Sequence, residues 1–296
     1  MFTKPAFVIF SSGIHQLASS SVLSLRKDVM TIAWIDAFRR VSRGIRERVS
    51  VSGLEIRKGP YVARLVSRHR DILPALRLRF EVFNLELNEG LASAFTYGHD
   101  IDEFDAICDH LVVEHVATRR VIGTYRLQTG ASACKNFGYY SEREFEFTPY
   151  RGLSDELVEL GRACIHRDHR STDVLYLLWR GIAQYAQARG ARYLIGCSSL
   201  TSQDPAQGTA VYNSLLNWQV DETLRTIPQP QFAMPLTESS SANSAVPKLL
   251  RTYLAIGARI CGAPAIDRDF KTIDFLMLLD LQELHPRIRD RFLDPA

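Results

Sequence analysis

Carboxylates and guanidinium groups fall at short, regular spacings in one third of the chain. Asp100, Asp102 and Asp105 stand two and three residues apart in HDIDEFDAICDH, a run that leads into the apolar segment LVVEH. The turn ATRR then joins it to VIGTYRL, so the acidic loop feeds a β-hairpin whose second strand carries Arg126. Further on, VELGRACIH places Glu159 and Arg162 on another short apolar strand. Acids and arginines at the ends of adjacent strands are what a catalytic cleft needs to bind an amine, orient a carbonyl and move a proton. Each aspartate has a plainer alternative, ordering of its own loop, because Asp bonds readily to nearby backbone. Glu159 likewise has one, a salt bridge to Arg162 or Arg126 that holds the strands.

Elements of alternating type must position these groups. A strand is expected over Tyr61 to Val66, followed by a helix from Ile72 to Leu87 that begins at Asp71 as its cap and tolerates Pro74 in its first turn. The hairpin strands are expected at 111–116 and 121–128, a third at Leu157 to His166, and a helix over Asp173 to Arg189. In that helix Val174, Leu177, Leu178, Ile182 and Tyr185 keep the 3.6-residue period, and Gly190 stops it. A strand at Tyr193 to Ser199, helices near 207–217 and 247–261, and the apolar strand IDFLMLLDL complete the order. Gly59 and Pro60 mark the start of the main domain, which gives an extension over 1–55 and a catalytic domain over 56–296.

The extension is locally basic. Arg26, Lys27, Arg39, Arg40, Arg43, Arg46 and Arg48 outnumber Asp28, Asp36 and Glu47 there, and Ile32, Ile35, Phe38, Val41, Ile45 and Val49 recur at helical steps. Such a helix suits an anionic membrane surface, or simply packs on the domain with its arginines solvated. No run approaches the roughly 20 apolar residues of a membrane span. Five cysteines form no CxxC pair, and no export signal is evident, which argues for a reducing cytoplasm. A net charge of +3 does not by itself imply nucleic acid, and the basic helix lacks interleaved stacking aromatics. The pairs Cys108/His110 and Cys164/His166 are too tightly spaced for a structural zinc site, so no metal is expected.

Taken in order, RFEVF at Arg79 to Phe83, DIDEFD, CDHLVV, VIGTYRL, YYSEREF, ELGRACIH, LLWRGIA and DFLMLLDL resemble the ornithine-lipid branch of the GNAT acyltransferases, from about Tyr61 to the C-terminus. These are acyl-carrier-protein-dependent ornithine Nα-acyltransferases, sometimes labelled hemolysin-like. The same positions are similar to acyl-homoserine-lactone synthases, with Arg79, Asp100, Asp102, Asp105, Arg126, Glu159 and Arg162 matching. The resemblance implies an α/β GNAT fold, a mixed central sheet flanked by helices with an N-terminal helical extension. It implies transfer of a 3-hydroxy fatty acyl group from acyl carrier protein to the α-amine of ornithine, giving lyso-ornithine lipid. Other acceptors of such enzymes are glycine, tyrosine or S-adenosylmethionine; a membrane-binding, lytic protein is the non-enzymatic alternative.

Ordinary GNAT enzymes cradle coenzyme A pyrophosphate in a glycine-bearing Q/R-x-x-G-x-G/A loop, whereas this chain reads HRDHRSTDVL. A donor on acyl carrier protein, with one phosphate on its pantetheine arm, fits better than acyl-coenzyme A. Arg167, His169 and Arg170 are the candidates to meet that phosphate or the carrier surface. No other cofactor is implied. Glu159 is the first candidate for the general base, with Asp102 as rival. Asp100, Asp102, Asp105 and Arg162 are assigned to the acceptor or its loop, and Arg79 and Arg126 to a carboxylate or the reacting carbonyl. A peripheral position on the inner membrane would suit an amphiphilic product.

Overall fold

The computed structural model describes residues 53–66, 71–237 and 245–293; the basic helix expected over Val22 to Val49 lies outside these residues. Among the described residues nine strands form one sheet: β1 (Glu55–Lys58), β2 (Tyr61–Leu65), β3 (Asp109–His115), β4 (Arg120–Thr129), β5 (Leu157–Ile165), β6 (Tyr193–Leu200), β7 (Arg259–Ile260), β8 (Ala265–Asp267) and β9 (Thr272–Asp280). Their spatial order is β1-β2-β3-β4-β5-β6-β9-β7, with β8 also on β9. Neighbours are antiparallel except β5 and β6, which run parallel. A parallel pair needs a crossover, and the helix α4 (Thr172–Ala188) supplies it. The preceding helices are α1 (Ile72–Arg79), α2 (Ala94–Tyr97) and α3 (Gly130–Lys135), and those that follow are α5 (Pro205–Ser214), α6 (Lys248–Ile256) and α7 (Pro286–Phe292). A mixed sheet flanked by helices is thus the observed fold.

Helix α4 forms where its period places it. The Ser171 side chain accepts the Val174 N–H at the N-terminus, and Gly190, at φ +66°, follows the C-terminus. Val174, Leu177, Leu178, Ile182 and Tyr185 are all buried against one face of the sheet, each worth about 1.5–3 kcal/mol of burial. The opposite face carries α1 and an aromatic cluster that includes Tyr139, Phe145, Phe147 and Tyr150.

Several expectations are corrected. Gly59 and Pro60, read as the start of the main domain, turn between β1 and β2, and the sheet already begins at Glu55. Asp71 stands at the N-cap position of α1, but its side chain caps no helix N–H, because its carboxylate takes Arg64 at 2.9 Å instead. The helix expected to Leu87 does continue, but beyond Arg79 it widens to π-type bonding over Phe80–Glu86, as in the 3.0 Å bond from Leu87 N–H to Val82 C=O. The helix expected to reach 261 ends at Ile256, where Gly257 adopts φ +118° and the chain turns into β7.

Candidate functional site

Strands β5 and β6 are paired only over Leu157–Glu159 and Tyr193–Ile195, and then part. A cavity of about 300 Å³ fills the opening, at the low end of small-ligand sites. It crosses the sheet. Trp179, Leu194, Tyr253, Met277 and Leu279 line one side, whereas Glu89, Glu144, Glu159, Asp267 and Asp274 line the other with Arg126 and Arg162. Phe83 and Leu87, from and just after the π-helical segment, border it too. At the parting point a Cβ on Gly196 would lie 2.2 Å from the Leu160 carbonyl oxygen. Gly196→Ala must push the strands apart and is expected to destabilise the fold by about 1–3 kcal/mol. An unchanged urea midpoint would count against this tight approach.

Arg162 reaches its place through a bulge. Between the pairs Thr124–Cys164 and Arg126–Gly161, one residue of β4 faces two of β5, and Arg162 adopts φ +50°. That turn aims its guanidinium between the rings of Phe270, at 4.2 Å, and Tyr140, at 4.7 Å. Left-handed backbone at a non-glycine residue costs about 1–2 kcal/mol, which the ion pairs and ring contacts offset.

Three arginines and three aspartates form one buried, charge-balanced lattice. Arg79 Nε donates to Asp100 at 2.7 Å, and its Nη1 and Nη2 donate to both Asp105 oxygens at 2.6 and 3.2 Å. Arg126 Nη1 joins Asp102 at 2.6 Å and Asp105 at 3.3 Å. Arg162 Nη2 meets Asp102 at 2.8 Å, and its Nε lies 3.4 Å from Asp100. Asp102 also accepts the Phe104 N–H at 2.9 Å, while the Asp102 N–H donates to Asp105 at 2.9 Å, a reciprocal cap on the 3₁₀ turn Glu103–Ala106. Burial alone would raise the Asp105 carboxyl, but Arg79 and Arg126 outweigh it and hold it well below the ordinary range. Asp102 is lowered in the same way by Arg126 and Arg162.

Of the two roles expected for the three aspartates, acceptor binding or ordering of the loop, this geometry favours the second. None of them lines the cavity, and neither does Arg79, which is 1% exposed; together they order the loop. Arg126 and Arg162 do face the cavity, as does Glu159. The partners of Glu159 are backbone amides rather than arginines: Tyr140 N–H at 2.9 Å and Ser141 N–H at 2.7 Å. Burial pushes its carboxyl up against the opposing pull of those hydrogen bonds. Ser141 opens the turn Ser141–Arg143, so Glu159 fixes the approach to Glu144.

Glu144, Asp267 and Asp274 did not emerge from the sequence reading. Their carboxylate oxygens lie within 4.8 Å of one another, the sole such group of acid, Cys or His ligands among the described residues. They could hold a cation. Burial, then Asp274 and Asp267, pushes Glu144 well above its usual value; burial, then Asp267 and Glu89, pushes Asp274 up to about 6. A signal was there: Asp274 sits in the otherwise apolar strand IDFLMLL, where burial disfavours a charge.

These opposed shifts set a pH dependence of stability. Asp102 and Asp105, lowered on folding, stabilise above the ordinary carboxylate range, and that contribution is lost as pH falls. Glu144 and Asp274, raised on folding, stabilise at low pH, and their contribution is lost as pH rises through about 6 for Asp274. The urea midpoint is expected to peak at about pH 4–5. Asp274→Asn should flatten the alkaline side; a wild-type midpoint that climbs steadily to neutrality would contradict the assignment.

The residues expected at the donor lie outside the cavity, beside the N-terminus of α4. Arg170 is held by Glu86 at 2.7 Å, and His169 Nδ1 is 3.1 Å from the Tyr61 hydroxyl among the rings of His115 and His166. Arg167 is exposed.

The acetyltransferase (GNAT) domain family matches residues 78–180. The chain is 32% identical over 204 residues to L-ornithine N(alpha)-acyltransferase of Brucella abortus (strain 2308), covering 64% of this chain and 72% of that one. Against the protein of the same name from Rhodobacter capsulatus it is 31% identical over 207 residues, with 64% and 78% covered. Among solved structures, the AHL synthase LasI aligns with a TM-score of 0.45 at 10% identity, over 78% of this chain and 94% of the other. FeeM, an N-acyl amino acid synthase from uncultured soil microbes, aligns at 0.46 and 12%, over 76% and 94%.

Proposed function

The chain belongs to the L-ornithine N(alpha)-acyltransferase family of GNAT enzymes, and from that premise we propose that it moves a long, 3-hydroxylated fatty acyl group from acyl carrier protein to the α-amine of L-ornithine. The observation that carries this reading is the two-sided cavity: an apolar wall for the chain, an acidic wall for the amine, and Glu159 where β5 and β6 part. The neutral α-amine attacks the thioester carbonyl, the C–N bond forms and the C–S bond breaks; the one proton lost from nitrogen passes by way of Glu159 to the departing thiolate, which leaves as the thiol. Glu159 accepts the proton lost from nitrogen. A free α-amine titrates near ~8, so a buried carboxylate with a raised pKa suits the transfer. Arg126 and Arg162, anchored on Asp102, still line the cavity and give it a positive wall toward which the acceptor's carboxylate can turn.

A carrier-protein donor is supported by the absence of a glycine cradle in HRDHRSTDVL and by exposed Arg167 at that turn. No helix among the described residues is long and apolar enough to cross a membrane. The basic, apolar-striped stretch Val22 to Val49 supports a cytoplasmic, peripheral position on the inner membrane, where the amphiphilic product belongs. Deleting residues 1–50 is then expected to weaken sedimentation with anionic vesicles and spare turnover of a soluble acyl-carrier donor.

The test of the whole reading is lipid mass spectrometry of a host that makes no ornithine lipid, expressing this chain. A new monoacylated ornithine is expected. A different N-acyl amino acid would overturn the acceptor, and no acylated amine despite folded protein would overturn the reaction.

A further inference from the structure

We propose that Glu144, Asp267 and Asp274 form the subsite for the side-chain ammonium of the acceptor, and so select a basic amino acid over neutral ones. The inference rests on the acyl-transfer reading above and adds the residues that recognise the acceptor's far end. The three carboxylates come from separate parts of the chain, the turn after Ser141–Arg143, β8 and β9, and converge within 4.8 Å on the wall of the same cavity. A second feature points to a ligand. Asp274 is 4% exposed, and its Oδ1 accepts no hydrogen bond, although Oδ2 takes the Thr272 hydroxyl at 3.1 Å. A buried carboxylate oxygen without a donor is expensive, and an ammonium with three N–H groups is the donor it lacks.

Local charge agrees. Glu89 lines the same wall, bonded to the Thr201 hydroxyl, and adds a further acid. The nearest cation, Arg162, is already engaged by Asp100 and Asp102. The other polar neighbours, Ser141 and Cys197 beside Glu144 and Ser199 and Thr272 beside Asp274, carry no positive charge; the Cys197 thiol lies 3.8 Å from Glu144. Burial and the neighbouring carboxylates raise Glu144 and Asp274, and a cation held between them would relieve that repulsion. Glu159 and Glu144 meet through Ser141, so one turn of chain links the site of proton transfer to the site of side-chain recognition.

The experiment compares ornithine with norvaline, its analogue without the terminal amine, by thiol release from an acyl-carrier donor. Wild-type kcat/KM is expected to favour ornithine by about 10–100-fold, the scale of a buried charge pair. In Asp274→Asn that ratio is expected to fall at least tenfold, mainly through KM for ornithine. Glu144→Gln serves as the second variant, and retained melting temperatures confirm that both fold. A ratio the variants leave unchanged, or a wild-type ratio near one, overturns the subsite while leaving acyl transfer intact. Acylation of neither amino acid overturns the reaction itself. Calorimetry with Mn²⁺ or Ca²⁺ is the remaining arm: tight binding lost in Asp274→Asn, with an undisturbed ornithine:norvaline ratio, overturns the proposal in favour of a metal.

Discussion

Arg79→Met is expected to destabilise the folded chain by about 3–5 kcal/mol, enough to unfold most of a marginally stable domain. The reason is what it leaves behind. Arg79 gives three hydrogen bonds to Asp100 and Asp105, both 0% exposed, and stands between α1 and the acidic loop. Burial alone would lower the Arg79 guanidinium, yet the two aspartates raise it well above its usual value. Methionine fills the volume but leaves three buried carboxylates facing Arg126 and Arg162 alone, a net charge of −1 where the lattice was neutral. Adding Asp100→Asn to Arg79→Met should recover much of the loss, since it removes the uncompensated charge. The measurement is urea unfolding followed by circular dichroism. A loss below 1 kcal/mol, or no recovery in the double variant, would show that the lattice is not what holds the loop.

That lattice also shows how far the residues alone could be read. The strands and helix α4 were legible because buried apolar positions impose a period, and Val158, Leu177 and Phe275 keep it. The arginines and acids were recognisable as one cluster. Their division into structure and cavity was not, because the bulge at Arg162 decides which guanidinium reaches which carboxylate, and nothing in GRAC announces φ +50°. The reciprocal cap was readable: Asp102 and Asp105 stand three apart before a short turn, the spacing of a capping box. Glu144 and Asp274 lie 130 residues apart and meet only once β9 pairs with β6 and Glu159 has fixed the turn at Ser141.

Glu159 is where chemistry and architecture compete, and Glu159→Gln separates them. As the base, it must be ionised for turnover. Because burial raises its pKa, kcat/KM is expected to rise with pH along a limb that lies above the ordinary carboxylate range. The variant should lose that limb, and its kcat should fall about 10²–10³-fold. Glutamine also disturbs the turn, for its carbonyl can accept one of the Tyr140 and Ser141 amides while its NH₂ confronts the other. The turn carries Glu144, so loss of positioning alone would raise KM for ornithine and leave both kcat and the acidic limb in place. A pH profile of kcat for the variant therefore decides: disappearance of the limb with KM little changed assigns the proton to Glu159, whereas its persistence moves the base elsewhere on the acidic wall.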